Sequence, residues 1–363
     1  MLFVAEKDLR DKVTTLTKVL PPKSLTTWME TILIEVTDKV AITANDMAAC
    51  LTILAESSKT EKGTTYVDGK FFANILKSLN EDVTVTADDK HLTIQSSKAE
   101  FQLATTNPTD FRTLNSEHDP KMKIEVETLL KLISKVAFAA AKDQFGVPFN
   151  CVLWEVKKDS LRLVATDGFK LAIDQVPTSC DEDHSFLLST RNMSILVDIL
   201  KSTASDTATL DFQLSLLSLR TSDMLARLNY TESTFPDYRR AIPNSYQITV
   251  QTTKDSLLNA LKRALLVDNS RVILNIASEV TLYTSASDAK YTETLEAEKQ
   301  GPDLTIAFNP RFLLETISHI DTEEVELAFN TNTSPVQIKS PTQDYPTYIV
   351  MPIRMVQNEG VYA

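Results

Sequence analysis

The sequence predicts an α+β protein built from three repeated domains, each with two helices packed on antiparallel sheets. Strand–turn–strand segments of similar pattern begin at Ile32, Val152 and Val272, which are two steps of 120 residues. Amphipathic helical patterns flank each segment, and strands with alternating apolar and polar residues follow. A repeat of this length is the size of a domain, and a chain of 363 residues has room for three.

Each strand–turn–strand segment ends at a corner of small residues that contains an aspartate. These aspartates are Asp46, Asp167 and Asp288, each 121 residues from the next. Because the same residue type recurs at the same corner with different neighbours, we interpret it as turn chemistry and not as a catalytic group. An aspartate can accept hydrogen bonds from turn amides, and Gly168 can adopt a positive φ.

Six amphipathic helices are predicted, two in each copy, from apolar residues at helical spacing. In the first of them Leu9, Val13, Leu16 and Leu20 form one apolar stripe. The six predicted ranges are 8–20, 70–79, 127–141, 191–201, 254–267 and 310–320.

Two polar or proline-containing joints separate the copies, at 115–123 and 241–247. They place the N-terminal domain at 1–120, the middle domain at 121–244 and the C-terminal domain at 245–363.

Composition predicts a soluble, cytoplasmic protein without a membrane partner. No apolar run approaches the roughly 18 to 20 residues that span a bilayer, and the first residues lack the apolar core of a signal peptide. Cys50, Cys151 and Cys180 are odd in number and widely spaced. We therefore expect buried free thiols and no disulfide framework.

The sequence shows no positive sign of catalysis, of a metal site or of a cofactor. The four histidines, among them His118 and His184 in acidic stretches, lack paired metal-ligand spacing. No nucleophile-elbow pattern is present. One alternative stays open at this point: a metal-dependent enzyme on repeated α+β domains that uses Asp46, Asp167 or Asp288.

Charge is divided unevenly between the helices and the rest of the chain. The six predicted helices carry thirteen basic and six acidic residues, a net charge of +7, so the remainder carries −19 of the total −12. If the helices line one side of the assembly, that side attracts a polyanion while the rest repels it. The pattern favours contact with DNA phosphates through one surface, without base readout.

Three local sequences indicate a family. "VATDGFKLA" (164–172), "FPDYRRAIP" (235–243) and "YIVMPIRM" (348–355) together resemble the bacterial sliding clamps, the beta subunits of DNA polymerase III. The motifs occur in the family's order, and the threefold repeat extends the resemblance over the whole chain.

The resemblance implies a non-catalytic DNA polymerase processivity factor. Members are head-to-tail homodimers whose six domains close a ring, with an outer antiparallel sheet and twelve inner helices facing duplex DNA. A clamp loader places the ring on DNA without base specificity. DNA polymerases and other partners bind through a short peptide held in a hydrophobic pocket.

The same resemblance implies which residues of this chain form the peptide pocket. They are Phe149, Thr166, Gly168, Phe169, Lys170, Leu171, Pro236, Arg240, Ala241, Ile349, Val350, Met351, Pro352, Ile353, Arg354 and Met355. For contact with DNA we expect basic residues of the helices and of the first domain. They are Lys23, Lys77, Lys131, Lys135, Arg191, Lys201, Lys262 and Arg263.

Several positions depart from the family pattern. Phe169-Lys170-Leu171 stands where His-Arg-Leu is usual, and an ammonium does not replace a guanidinium, so partner preference is expected to shift. Ala241 replaces a larger apolar residue, which deepens the expected pocket. The segment from Lys23 to Trp28 differs from the usual pattern, which weakens one expected DNA contact. The chain continues beyond Met355, where most members end. A clamp-like scaffold without DNA binding is a further alternative, which the basic helices disfavour.

Overall fold

A computed structural model describes residues 1–23, 26–108, 111, 119–142, 146–213 and 215–355. Internal packing divides them into two compact units. The first unit comprises Met1–Lys131, Val156–Ser160 and Pro177–Glu232, and the second comprises Leu132–Glu155, Leu161–Val176 and the described residues from Ser233 onward. His118 and the tail 356–363 lie outside the described residues. The domain boundaries expected near 120 and 244 stay a proposal.

All six predicted helices are present. They are α1 (Lys7–Val19), α2 (Gly69–Ser78), α3 (Val126–Val136), α4 (Thr190–Ser202), α5 (Lys254–Ala264) and α6 (Pro310–Ser318). Two of them, α3 and α5, end three or more residues earlier than predicted. A 3₁₀ helix at Ala137–Ala139 follows α3, and after α5 the amides of Val267 and Asp268 both donate to the Ala264 carbonyl. No helix among the described residues has the length and apolarity to cross a membrane.

Side-chain caps explain why α2, α4 and α6 begin where they do, and Thr253 caps α5 in the same way. The N-cap residues Asp68, Ser189 and Asn309 each accept a hydrogen bond from an amide in the first turn. Such a bond satisfies one of the free amides at a helix start. The caps are spaced by 121 and 120 residues, so the repeat that was read from the sequence is also a repeat of helix starts.

The strands are short and numerous. The first thirteen are β1 (Leu2–Ala5), β2 (Thr31–Val36), β3 (Val40–Asn45), β4 (Ala49–Ala55), β5 (Thr60–Glu61), β6 (Gly63–Asp68), β7 (Val83–Ala87), β8 (His91–Gln95), β9 (Glu100–Ala104), β10 (Met122–Glu125), β11 (Cys151–Val156), β12 (Ser160–Thr166) and β13 (Lys170–Pro177). The others are β14 (His184–Ser189), β15 (Thr207–Gln213), β16 (Leu216–Arg220), β17 (Met224–Asn229), β18 (Ile248–Thr253), β19 (Val272–Ile276), β20 (Val280–Ser285), β21 (Lys290–Leu295), β22 (Ala297–Gln300), β23 (Leu304–Phe308), β24 (Glu324–Phe329), β25 (Val336–Lys339) and β26 (Thr347–Val350).

The first unit contains two antiparallel sheets, with strand orders β5-β1-β7-β8-β9 and β10-β15-β16-β17-β4-β3-β2-β6. The second sheet joins strands of the first and second repeats, because β17 pairs with β4 with Ala226 opposite Leu51. In the second unit β11, β12, β13, β26, β25, β24, β18 and β22 lie side by side in that order, and a further sheet has the order β21-β20-β19-β23.

The cores lie between these sheets and the apolar faces of the helices. Leu9, Val13 and Leu16 of α1 are fully buried, as the stripe predicted. In the first unit α1 packs against α2 and α4, and in the second unit α5 packs against α6. The three cysteines are buried free thiols, which confirms that prediction. Apolar burial of this kind is the main favourable contribution to folding.

The corner aspartates serve the turns in two of the three copies. Asp46 accepts hydrogen bonds from the Ala48 and Ala49 amides. Asp167 likewise accepts hydrogen bonds from the Phe169 and Lys170 amides. The prediction is wrong for Asp288, whose carboxylate accepts from the Ser287 hydroxyl. The same backbone hydrogen bond closes all three turns, from the amides of Asp46, Asp167 and Ala286 to the carbonyls of Ala49, Lys170 and Ala289. Asp288 therefore lies two residues beyond the turn position that Asp46 and Asp167 occupy.

A buried ion pair ties α1 to strands of the second repeat within the first unit. The Lys12 ammonium lies 2.6 Å from Asp223, with 5% and 12% of these side chains exposed, and it also pairs with Asp8. Burial by itself raises the pKa of the Asp223 carboxyl, but hydrogen bonds from Lys12, Thr203 and neighbouring groups outweigh it and lower that pKa to about 2. The pair therefore stays charged at neutral pH.

Replacing Asp223 with Asn should lower the free energy of unfolding by about 3 kcal/mol, because the Lys12 ammonium would stay buried with only the exposed Asp8 as a partner. Urea unfolding of D223N and wild type measures the difference. The control is D82N, which removes an exposed partner of Arg10 and should change the same free energy by less than about 1 kcal/mol.

The destabilisation should also depend on pH. The folded pKa of Asp223, about 2, lies below the unfolded value of about 3.9. Its contribution to stability is therefore complete above the unfolded pKa and is lost as the pH falls from about 4 towards 2. An equal difference between D223N and wild type at about pH 7 and about pH 3 would contradict this assignment.

Candidate functional site

The corner between β12 and β13 in the second unit is held by its own side chains. The Thr166 hydroxyl donates a hydrogen bond to the Lys170 carbonyl at 2.7 Å. One Asp167 carboxylate oxygen accepts from the Phe169 and Lys170 amides, each at 2.9 Å. Gly168 has φ of +88°, which favours glycine. The corner therefore presents Phe169 to solvent, with 59% of that residue exposed.

Lys170 lies beneath this corner with only 8% of its surface exposed. Its ammonium is 2.8 Å from Asp167 and 3.4 Å from Glu315 of α6. It also lies 5.1 Å from the centroid of the Phe312 ring, within the range of a cation–π interaction. The two carboxylates thus neutralise the charge of Lys170 inside the protein. The ion pair between Lys170 and Asp167 stabilises the corner.

The C-terminal strand lies beside this corner. β26 pairs with β13 so that Ile349 is opposite Leu171 and Val350 is opposite Lys170, and the Met351 amide then donates to the Phe169 carbonyl at 2.9 Å. Leu171, Ile349 and Val350 are buried by this pairing, whereas Met351 is 41% exposed.

Phe169, Phe312 and Met351 form what we term the apolar surface of the second unit. The Phe169 and Phe312 rings are 6.2 Å apart between centroids and inclined by 29°. Met351 joins Phe169 through the backbone hydrogen bond described above. An exposed cluster of large apolar side chains is typical of a binding surface.

The remaining predicted pocket residues lie at exposed or half-buried positions of the second unit. A 3₁₀ helix at Tyr238–Ala241 carries Arg240, which pairs with Asp237 at 2.9 Å, and Ala241, which is exposed. Phe149 is half-buried. Ile353 bonds through its amide to the Ala307 carbonyl at 2.7 Å. Pro236 and Arg354 are exposed, and Pro352 and Met355 are half-buried.

Sequence reasoning missed Phe312 and Glu315, which the structure brings to the corner. Both lie on α6, where Leu313 and Ile317 form the buried face. The signal that could have found Phe312 is its place outside that apolar stripe, because a large aromatic residue on the open face of a short amphipathic helix requires another partner.

Four of the eight residues expected to contact DNA are exposed and have no ion pair among the described residues. They are Lys23, Lys77, Lys201 and Lys262. Lys77 lies with Lys7 and Arg10 around an open cleft of about 270 Å³ between α1 and α2. The charges of Lys23, Lys77, Lys201 and Lys262 are therefore available to an anionic ligand.

The other four expected DNA contacts form ion pairs within their own units. Lys131 pairs with Glu127, and Lys135 with Asp321. Arg191 pairs with Asp46 and donates to the Val19 carbonyl. Arg263 bonds to Glu293 and Tyr291. These pairs reduce the positive charge that the four residues offer, and their contact with DNA stays a prediction.

The corner aspartates do not form a shared metal site. Asp46 binds the Arg191 guanidinium, and Asp167 binds the Lys170 ammonium. Nowhere in the described ranges do three His, Cys, Asp or Glu side chains come together as metal ligands. Among the described residues, the β12–β13 corner thus presents an apolar surface and no cluster of metal ligands.

Comparisons with known proteins identify related sequences along most of the chain. Models of the DNA polymerase III beta subunit match in three parts: the N-terminal domain at residues 1–115, the central domain at 123–237 and the C-terminal domain at 239–354. The beta sliding clamp of Proteus mirabilis is 26% identical over 335 residues, covering 89% of this chain and 91% of the relative. That of Haemophilus influenzae is 25% identical over 339 residues, covering 90% and 92%.

Solved structures show the same architecture. The DNA polymerase III beta subunit of Thermotoga maritima superimposes with a TM-score of 0.92 at 31% identity, covering 98% of this chain and all of the other. A Pseudomonas aeruginosa sliding clamp bound to griselimycin has a TM-score of 0.91 at 22% identity, covering 98% and 100%, and shows a shared fold. The predicted fold class of three clamp domains is confirmed. The chain belongs to the DNA polymerase III beta subunit family, the bacterial sliding clamps, and is a non-catalytic processivity factor of DNA replication.

Proposed function

We propose that two copies of this chain close a ring around duplex DNA and tether DNA polymerases and other partners through the apolar surface. The observation that carries the proposal is the presence of all three clamp domains in one chain. Duplex DNA, the clamp loader, the polymerases and a second copy are the proposed partners.

Free lysines on the helices support contact with DNA. Lys77 and Lys201 are exposed on α2 and α4 of the first unit, and Lys262 is exposed on α5 of the second. Lysines of this kind attract phosphates without reading bases. The chain as a whole is acidic, so repulsion by the rest of the surface restricts DNA to the lysine-bearing helices.

Unpaired sheet edges support closure of the ring by two copies. β9 lies at one edge of its sheet in the first unit, and β21 lies at one edge of its sheet in the second. Unpaired edges of this length favour pairing with another strand. Leu266, which follows α5, is 85% exposed, and an exposed leucine of this kind gains from burial at a contact between copies.

The apolar surface supports peptide capture. Phe169 and Met351 expose large apolar side chains on a backbone held by sheet pairing and by the Asp167 turn. A rigid surface of this kind can receive apolar anchors of a partner segment at low entropic cost. Because the Lys170 charge is already neutralised, we expect apolar contact to dominate binding at the corner.

Light scattering of the free protein, followed by loading on nicked circular DNA, tests the ring. We expect a mass of twice 40.5 kDa, retention on circles, and release when the circles are cut. The L266D variant should shift the mass towards the monomer, because it places a charge at the proposed contact. A wild-type monomer, or binding that is indifferent to cutting, would overturn the ring.

Reversing Lys262 to Glu should weaken retention on circular DNA and lower the salt dependence of the association. The expected decrease in the salt slope is about 1 for each lysine lost. R263E should act in the same direction, but it also brings a carboxylate towards Glu293. K62E is the control, because it makes the same charge change on an exposed residue between β5 and β6. Equal retention of K262E and K62E would contradict the assignment of Lys262.

Truncating Met351 to Ala should weaken binding at the apolar surface by about tenfold, because an exposed anchor contact is lost. Griselimycin, which binds a Pseudomonas aeruginosa clamp, serves as the probe in surface plasmon resonance. L171A should also weaken binding, with some loss of stability because Leu171 is buried. M47A removes an exposed methionine from the corresponding corner of the first unit and should bind normally. Unchanged affinity of M351A would show that the pocket is misplaced.

A further inference from the structure

A half-buried carboxylate holds the 3₁₀ helix at Tyr238–Ala241 onto the sheet of the second unit. Glu155 of β11 accepts a hydrogen bond from the Tyr238 hydroxyl at 2.6 Å and another from the Arg239 guanidinium at 2.8 Å. The Arg239 guanidinium also lies 4.6 Å from the centroid of the Tyr238 ring. Tyr238 itself is buried. The start of the 3₁₀ helix is therefore bound to β11 through two adjacent side chains.

Arg162 of β12 extends these contacts to the segment that precedes β26. Its guanidinium donates twice to the Gln175 side chain of β13, at 3.1 and 2.8 Å. It also donates to the Tyr238 hydroxyl at 3.3 Å and to the Tyr345 hydroxyl at 3.4 Å. The planar guanidinium can serve these partners at once because its donors point in fixed directions. A lysine at this position would lose most of the bonds.

The two segments held in this way both carry predicted pocket residues. Arg240 and Ala241 end the 3₁₀ helix that Tyr238 begins. Tyr345 stands shortly before β26, whose pairing with β13 leads directly to Met351. Glu155 and Arg162 lie on the neighbouring strands and also form an ion pair at 3.6 Å. One polar network thus fixes both segments relative to the same sheet.

We propose that Glu155, Arg162 and Tyr238 are positioning residues that hold the peptide pocket in its binding-competent form without touching the partner. The proposal rests on the pocket proposed above and adds a determinant of affinity outside it. If the network is weakened, the two segments move independently and a smaller fraction of molecules is ready to bind. The observed affinity falls by that fraction.

The protonation states suit this role. Burial raises the pKa of the Tyr238 hydroxyl to about 12, with the hydrogen bond to Glu155 acting in the same direction. Burial alone would raise the pKa of the Glu155 carboxyl, but bonds from Tyr238 and Arg239 outweigh it, so that pKa is lowered. At neutral pH the phenol therefore donates and the carboxylate accepts, and the network persists without a change of proton.

The test compares association and dissociation rates of griselimycin, by surface plasmon resonance, for Y238F, E155Q and R162K. We expect a loss of affinity of about threefold to tenfold, the size of one or two hydrogen bonds. The loss should lie in the association rate, because fewer molecules are competent. M351A, which removes a proposed contact, should instead raise the dissociation rate. Mass and thermal unfolding of each variant establish that it is folded and dimeric.

Non-additivity and a matched control sharpen the comparison. The Y238F/R162K double variant should bind at most about twofold more weakly than R162K, because both changes disrupt the same network. Y246F removes a buried hydroxyl that has no hydrogen-bond partner among the described residues, and it should bind like wild type. Y238F keeps the test decisive if R162K fails to fold, because it removes a single oxygen.

The possible outcomes separate the two proposals. Normal binding by wild type with unchanged rates in all network variants would overturn the positioning role and leave the pocket standing. An increase in the dissociation rate like that of M351A would show direct contact and would also overturn it. If wild type binds neither griselimycin nor labelled peptides taken from polymerases, the proposed pocket is overturned. The positioning role of the network is then overturned with it.

Discussion

The pairing of β26 with β13 is the constraint on which the candidate binding site depends. Backbone hydrogen bonds set Lys170 opposite Val350 and Leu171 opposite Ile349, although these residues are far apart in the chain. The register decides which side chains face the core and which face solvent, because a shift of one residue would reverse them all. Only with this register does Met351 emerge beside Phe169. The Asp167 turn and the buried Lys170 then keep the corner rigid.

Charge in this protein serves two separate purposes. Buried or half-buried cations such as Lys12, Lys170 and Arg162 are matched by carboxylates or polar groups, as burial of a charge requires. Lys77 and Lys262 keep their charges in solvent. Charge counting over the helices does not separate the two sets, because a formal charge is the same whether or not it is neutralised by a neighbour. Free lysines of this kind attract phosphates weakly and additively, as the proposed ring around DNA requires.

The prediction of the fold succeeded where local pattern determines structure. The helices were found because their apolar stripes are local features, and Asp46 and Asp167 were correctly interpreted as turn residues. The buried pair between Lys12 and Asp223 was not found, because its members lie in different repeats and meet only through sheet pairing. Arg191 was expected to face DNA, yet its bond to Asp46 is equally invisible in the linear sequence.

The sequence by itself determined the threefold repeat, the class of each domain, the helix starts and the family, because these follow from periodicity and from short motifs. The tertiary structure alone decided which basic residues remain free, that Phe312 and Glu315 of α6 reach the β12–β13 corner, and that one network of Glu155, Arg162 and Tyr238 joins the 3₁₀ helix to the segment before β26. Such contacts depend on the register of paired strands and on the packing of helices against them. Those relations join residues over long separations, and no local pattern encodes them.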